Sequence, residues 1–244
     1  MNVGAGPEPS SLRARAEAVF ARIAAAAERA GRDAGDVTLV AVTKTHPAAL
    51  VREAFAAGLR VFGENRVQEA EEKAGELGDE TRGASWHLIG RLQANKARRA
   101  ARLFDVIHSL DSAALAERLE RLCAEEGRES LDVLVQVDLA GEASKGGAAV
   151  EELPALAETL KACTRLRLKG LMTLPPFFED AERVRPYFRR LRELRDELRE
   201  SGAFGGGPGW LSMGMSHDYE VAIEEGANVV RVGTAIFGER PARV

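Results

Sequence analysis

Residues 37–47 read V-T-L-V-A-V-T-K-T-H-P: apolar and β-branched residues, then one lysine, Lys44, and a proline that stops regular structure. In a strand, Val37, Leu39, Ala41 and Thr43 face one side, and Thr38, Val40, Val42 and Lys44 the other. Both faces stay apolar until the last residues, the pattern of a parallel strand buried on both sides. Folds built from such strands bind ligands at the C-terminal strand ends, where Lys44 falls.

The same rhythm continues outward from this strand. Strand-like runs recur at 60–63, 86–89, 105–109, 131–139, 168–174, 210–213 and 228–232. Helical patterns lie between them at 47–58, from 64, and at 94–103, 112–126, 150–163, 181–201 and 218–225. A helix capped by Ser10 or Ser11 precedes the first strand and runs to about Arg32, with Leu12, Ala16, Val19, Phe20 and Ile23 on one stripe. In 181–201, Phe188, Leu191, Leu194 and Leu198 form a stripe that predicts a barrel-facing surface. Alternation of this kind means α/β. After the first strand stands T-K-T-H-P and not the G-x-G-x-x-G of a dinucleotide fold. The reading is therefore α/β, a single (β/α)8 TIM-type barrel with an additional N-terminal helix. Residues 1–9 read as a flexible tail and 10–244 as one barrel domain. The 244-residue length matches the roughly 250 residues of such barrels.

Hydrophobic residues make up 45% and charged residues 30%, enough for a sizeable core in a soluble protein. The net charge of -4 argues against a dedicated nucleic-acid binder, which would be basic overall. The basic stretch with Arg91, Lys96, Arg98, Arg99 and Arg102 reads as a solvated helix face. No apolar run approaches the ~20 residues of a membrane span, and the first ten residues lack the features of a signal peptide. Cys123 and Cys163 belong to no metal spacing and read as small hydrophobes of a reducing cytoplasm.

Listing the strand ends collects the polar residues: Lys44; Glu64 and Asn65; His87 with Gly90; His108, Ser109 and Asp111; Gln136 and Asp138; Met172 and Thr173; Ser212 and Gly214; Arg231, Gly233 and Thr234. Polar or small ends after apolar bodies point to a ligand site on that face. L-S-M-G-M-S-H-D-Y after the seventh strand and V-R-V-G-T-A-I-F-G at the eighth carry glycines and the hydroxyls of Ser212, Ser216 and Thr234. Small residues let backbone N–H groups approach an anion there, at the recurrent phosphate position of this fold. A lysine in an apolar barrel mouth is eased toward its neutral amine by desolvation, and a neutral amine forms Schiff bases. A lysine across the barrel from a phosphate cradle describes pyridoxal 5'-phosphate (PLP): aldehyde on Lys44, phosphate on the Ser212/Gly214 and Gly233/Thr234 loops. Arg231, flanked by Val230 and Val232, falls where the pyridine nitrogen would lie. Arginine only donates, so it keeps that nitrogen unprotonated and weakens carbanion chemistry.

From about 39 to 238 the chain resembles the pyridoxal phosphate homeostasis family, related to the N-terminal barrel of alanine racemases. The motifs are A-V-T-K-T-H-P, F-G-E-N-R-V-Q-E, W-H-L-I-G-R-L-Q-A-N-K, H-S-L-D-S, S-K-G-G, G-L-M-T-L, L-S-M-G-M-S-H-D-Y and V-R-V-G-T-A-I-F-G. The resemblance implies PLP on Lys44, phosphate contacts from Ser212, Gly214, Gly233 and Thr234, and Arg231 at the pyridine nitrogen. It also implies Asn65 and Met172 beside the cofactor, with His87 below it. Family members look like carriers or regulators of intracellular PLP that also affect amino-acid and keto-acid balance; for this chain, apo PLP-dependent enzymes are the expected transient recipients. Asp138 stands where members often carry Asn, and His46 follows the lysine motif at a variable position.

A carrier acting as a cytoplasmic monomer is the primary reading. A PLP-dependent amino-acid racemase needs a second base opposite Lys44. Only Tyr187 and Tyr219 are available as tyrosines, Tyr187 reading as packing and Tyr219 as a neighbour of the phosphate loop. A Schiff-base barrel enzyme acting on a phosphorylated aldehyde would share the lysine and the loops but be colourless. Lys145 in S-K-G-G lacks a P-loop around it and reads as a plain loop lysine.

Overall fold

The computed structural model describes residues 11–142 and 145–239; the tail expected at 1–9 lies outside the described residues. Eight parallel strands close into a barrel in sequence order. They are β1 (Thr38–Val42), β2 (Val61–Glu64), β3 (Ser85–Leu88), β4 (Val106–Leu110), β5 (Leu131–Gln136), β6 (Leu166–Met172), β7 (Trp210–Met215) and β8 (Val229–Val232). Helix α1 (Leu12–Arg29) precedes the barrel. Then α2 (Ala48–Ala56), α3 (Val67–Leu77), α4 (Ala97–Leu103), α5 (Ala113–Glu125), α6 (Leu153–Ala162), α7 (Arg185–Glu200), α8 (Tyr219–Glu224) and α9 (Thr234–Phe237) follow one strand each. The single-barrel reading is met strand for strand.

Closure is made by β1 and β8, paired in parallel with Ala41 opposite Val232. This corrects one expectation: the loop after β8 is not across the barrel from Lys44 but beside it. A ring of eight strands makes the first and last strands neighbours.

Alternation sorts the strand residues into two layers. Leu39, Ala41, Phe62, Trp86, Leu88 and Ile107 join the large core under the helices. Val40 and Val42 pack inside with Ile89 and Val229, and Met172 with Val106 and Leu134. Phe188, Leu191, Leu194 and Leu198 of α7 are buried as the stripe predicts.

Helix α1 begins at an N-cap, Ser11, whose hydroxyl accepts from the Ala14 N–H at 3.2 Å. Its buried face holds Leu12, Ala16, Val19, Ile23, Ala26 and Ala27 against α8 and α9. Phe20, expected on that stripe, is 45% exposed. It lies one step round the helix from Val19, beyond the strip that α8 and α9 cover. Ser11→Ala should cost about 1 kcal/mol, read as a lowered urea midpoint at unchanged slope.

The basic stretch is neutralised as expected of a solvated face. Arg98 and Arg102 of α4 pair with Glu126, Arg98 also with Glu125, and Arg99 with Glu71. Both cysteines are free, Cys123 buried and Cys163 half-buried. Among the described residues no helix is long and apolar enough to cross a membrane, and no cluster of metal-ligating side chains occurs.

Candidate functional site

Strand β1 ends at Val42, and residues 43–46 form a tight turn closed by the His46 N–H donating to the Thr43 carbonyl at 3.0 Å. Thr43 turns outward, its hydroxyl donating to Glu64 Oε1 at 2.6 Å. Lys44 then shares the parity of the interior residues Val40 and Val42 and is half-buried at the strand end. Thr45 follows in the left-handed region, φ 67°, the one non-glycine residue of that kind among those described.

The loops after β7 and β8 meet beside this turn. In β7 the register shifts between Ser212 and Met215, an extra residue bulging against β8. Gly214 sits in the bulge at φ 91°, and a Cβ there would lie 2.8 Å from the Tyr219 Cα and 2.6 Å from the Ala222 Cβ. Only glycine lets α8 approach so closely. The following turn is locked by Asp218, whose carboxylate accepts from the Met215 N–H at 2.6 Å while its own N–H donates to the Met215 carbonyl. This turn presents Ser216. Its Oγ accepts from the Gly233 N–H at 3.1 Å and the Ala235 N–H at 3.4 Å. Gly233 in turn lies against β1, where a Cβ would stand 3.3 Å from the Val42 carbonyl oxygen. Thr234 opens α9 beside it and is exposed.

Ser212 does not belong to that cradle. Its side chain is fully buried inside the barrel; Arg231 Nη1 donates to its Oγ at 2.6 Å, and the same Oγ lies 2.9 Å from His108 Nδ1. The bulge carries the chain out of the barrel only after Gly214, so the hydroxyl on the loop beside Gly233 is that of Ser216. Gly214 shapes the loop from below, packed on α8.

Inside the barrel, a polar layer crosses from β3 to β8. His87 Nδ1 and His108 Nε2 are 2.9 Å apart, His108 reaches Ser212, and Arg231 binds Ser212 and, through Nη2, the Thr173 carbonyl at 2.9 Å. Arg231 can only donate, so the arrangement that uses the Ser212 O–H sends it to His108 Nδ1, and His108 Nε2–H to His87. Burial holds both imidazoles neutral: His87 is lowered to about 4 and His108 well below its ordinary value, with Arg231 and His87 adding to the latter. Burial also lowers Arg231 to about 10, opposed by the Asp218 charge, so it stays cationic at neutral pH. Its hydrogen bonds go to a hydroxyl and a carbonyl, not to a carboxylate. A buried cation so placed favours an anionic or lone-pair ligand.

Of the other expected residues, Met172 is fully buried in the interior cluster with Val106 and Leu134. Asn65 is half-buried and lines a cleft of about 870 Å³ with Arg66, Glu69, Gly90 and Arg91. His87 lies low in the barrel, lining an opening with Thr38, Val61 and Trp210. Several strand-end polar groups serve the loops instead of a ligand. Ser109 binds the Gly90 carbonyl, Gln136 the Lys145 and Gly146 carbonyls, Thr173 the Val137 carbonyl, and Asp138 the N–H groups of Ala140 and Gly141. Lys145 ties two loops, donating to the Pro175 carbonyl and pairing with Glu142. Glu64 faces away from the mouth, bound to Lys73 of α3 at 2.7 Å. Burial pushes its carboxyl up and the Lys73 charge opposes this.

Two residues have sharper places in the structure than the sequence gives them. Ser216 stands four residues past Ser212 in the same motif, and only the bulge decides between them. His108, seen as a strand end, is the link between His87 and Ser212; its parity with Val106 carried that signal.

A family model, that of the alanine racemase N-terminal domain, matches residues 15–241. The chain is 50% identical over 222 residues to the pyridoxal phosphate homeostasis protein of Pseudomonas aeruginosa, covering 91% of this chain and 93% of that one. It is 46% identical over 226 residues to the protein of that name from Aquifex aeolicus, covering 93% and 97%. PipY of Synechococcus elongatus, whose structure was solved with PLP bound, matches at TM-score 0.81 and 40% identity, covering 93% of this chain and all of that one. The chain belongs to the pyridoxal phosphate homeostasis protein family.

Proposed function

We propose that the chain holds PLP as a Schiff base on Lys44 and serves intracellular PLP homeostasis as a carrier, without catalytic turnover. The observation that carries this reading is the contact between Gly233 and β1. It sets the convergent N–H groups of Gly233 and Ala235, with the Ser216 hydroxyl, two residues from the lysine. An amine and an anion cradle side by side fit a phosphorylated aldehyde. PLP, when bound, supplies that aldehyde, that phosphate and a pyridine nitrogen. Lys44 would hold PLP through its amine, the group that takes up an aldehyde as a C=N bond with loss of one water. Ser216, Gly233 and Thr234 hold the phosphate, and Gly214 keeps their loop in place. Arg231, anchored by Ser212 and Thr173, donates to the nitrogen and holds it unprotonated. Asn65 and Met172 would lie beside the ring, with His87 below it.

The carrier reading over a racemase rests on the tyrosines as well as on Arg231. Tyr219 is fully buried, with the Arg22 guanidinium of α1 5.2 Å from its ring, so it is spent on packing. Tyr187 stacks on Phe178 at 6.0 Å. The chain then acts in the cytoplasm as a monomer with apo PLP enzymes as transient recipients.

Titration of the purified protein with PLP, followed by visible absorbance, tests the assignment. The wild type should turn yellow and Lys44→Ala should not; an unchanged spectrum in Lys44→Ala would sink the assignment. Lys44-dependent interconversion of L- and D-alanine would favour the racemase, and a protein that binds phosphorylated aldehydes but stays colourless with PLP the aldehyde enzyme. Reactivation of an apo PLP enzyme no faster by the loaded protein than by free PLP would argue against delivery.

A further inference from the structure

The turn that carries Lys44 is gripped on both sides by α3. Lys73 is 5% exposed, and its ammonium donates to the Thr43 carbonyl, to Glu64 Oε1 and to Glu69 Oε1, each at 2.7 Å. These three bonds use every proton a lysine ammonium has. Glu69 Oε1 also accepts from the Thr45 N–H. The residue before Lys44 and the residue after it are thus tied to the same ion cluster.

Two features say that this grip does more than fill space. Thr45 is held at φ 67°, a conformation that a β-branched residue adopts only when its surroundings impose it. The turn bond from the His46 N–H to the Thr43 carbonyl and the bond from the Thr45 N–H to Glu69 together hold it there. Second, the cluster is ionic where an apolar contact would join α3 to β1 more cheaply, since burying Glu64 and Lys73 has a desolvation cost. None of its polar groups points into the barrel interior: Thr43 and Glu64 face outward, and Lys73 and Glu69 sit on α3.

We infer that Glu69 and Lys73 are positioning residues for Lys44, holding the strained Thr43–Thr45 turn so that the lysine amine starts from one fixed place. This rests on the reading of Lys44 as the Schiff-base lysine. Fixing one residue's backbone is worth about a tenfold change in an equilibrium. Glu69→Leu, which removes the acceptor, should weaken PLP binding roughly tenfold, about 1.4 kcal/mol. Glu69→Gln keeps an acceptor for Thr45 and should stay near wild type. Thr45→Gly placed in the Glu69→Leu protein should recover most of the loss, because glycine takes a positive φ without being forced.

The experiment titrates each variant with PLP by absorbance and with pyridoxine 5'-phosphate by competition. The second ligand has the phosphate but no aldehyde, so it does not engage Lys44. Selective loss for PLP, rescued by Thr45→Gly, supports the inference. Equal loss of both ligands, or no loss of either, overturns it. If Glu69→Leu is not recovered folded, Lys73→Met combined with Glu64→Gln frees the Thr43 carbonyl and leaves no charge in the fully buried part of the cluster, Glu69 being part-exposed and still bound to the Thr45 N–H, and the same selective loss is required. Wild-type protein that never turns yellow overturns the Lys44 reading itself, an outcome distinct from a yellow wild type with yellow, equally tight variants.

Discussion

Gly214→Val is expected to lower folding stability by about 3 kcal/mol or more, combining a left-handed φ with an overpacked contact. The φ of 91° is one that valine resists, and the first added carbon already falls within 2.6 Å of Ala222 and 2.8 Å of the Tyr219 backbone. The Tyr219 backbone cannot yield without moving α8. Moving α8 disturbs the reciprocal Met215–Asp218 bonds that present Ser216 to Gly233. The folded fraction that survives should therefore also bind PLP poorly. Gly214→Ala should show a smaller loss of the same kind. Urea unfolding of the three proteins checks this, and an unshifted midpoint in the valine variant would contradict the packing described.

The buried histidine pair makes the protein acid-sensitive in a window of its own. Unfolded histidine takes a proton near pH 6.5, whereas folded His87 waits until about 4 and burial holds His108 well below its ordinary value. Below 6.5 the unfolded state thus binds more protons, so stability is full above that pH and is lost as pH falls toward 4. Each histidine contributes a slope of about 1.4 kcal/mol per pH unit, and His87 alone roughly 3 kcal/mol across the window. Glu64 and Asp218, both pushed up chiefly by burial, act in the opposite sense. They take a proton more readily folded than unfolded, which offsets part of the loss toward the acid end. Urea unfolding at pH 7, 6 and 5 should show the fall. A His87→Gln, His108→Gln double variant should start less stable at pH 7 and fall less steeply; an equal slope would mean the histidines are already charged in the fold.

The eight strands could be read because each is an apolar run bounded by polar ends, and burial on both faces leaves that pattern intact. Most boundaries lie within two or three residues of expectation. Ser212 and Ser216 were not separable, since period-two counting fails where β7 bulges. Tyr219 looked like a site neighbour because it follows the loop, but α8 turns its ring to α1. Lys73 with Glu69 reads in sequence as an ordinary exposed i,i+4 helix pair. Only the docking of α3 on the β1 turn buries it. Strand-end polar groups such as Gln136 and Thr173 showed where the loops begin, not what they hold.

The closed ring has one more consequence. On the proposed reading, Lys44 follows the first strand and its cradle follows the last two, so the site is complete only once β8 has paired with β1. During synthesis seven strands can form with no competent pocket, and a ligand bridging the two bonds the seam shut. PLP should then act as a clasp on the barrel, slowing its opening at the β1–β8 edge and adding stability by mass action as its concentration rises. Loaded protein would exchange its β1 and β8 amide hydrogens more slowly than empty protein, with the strands opposite the seam least affected.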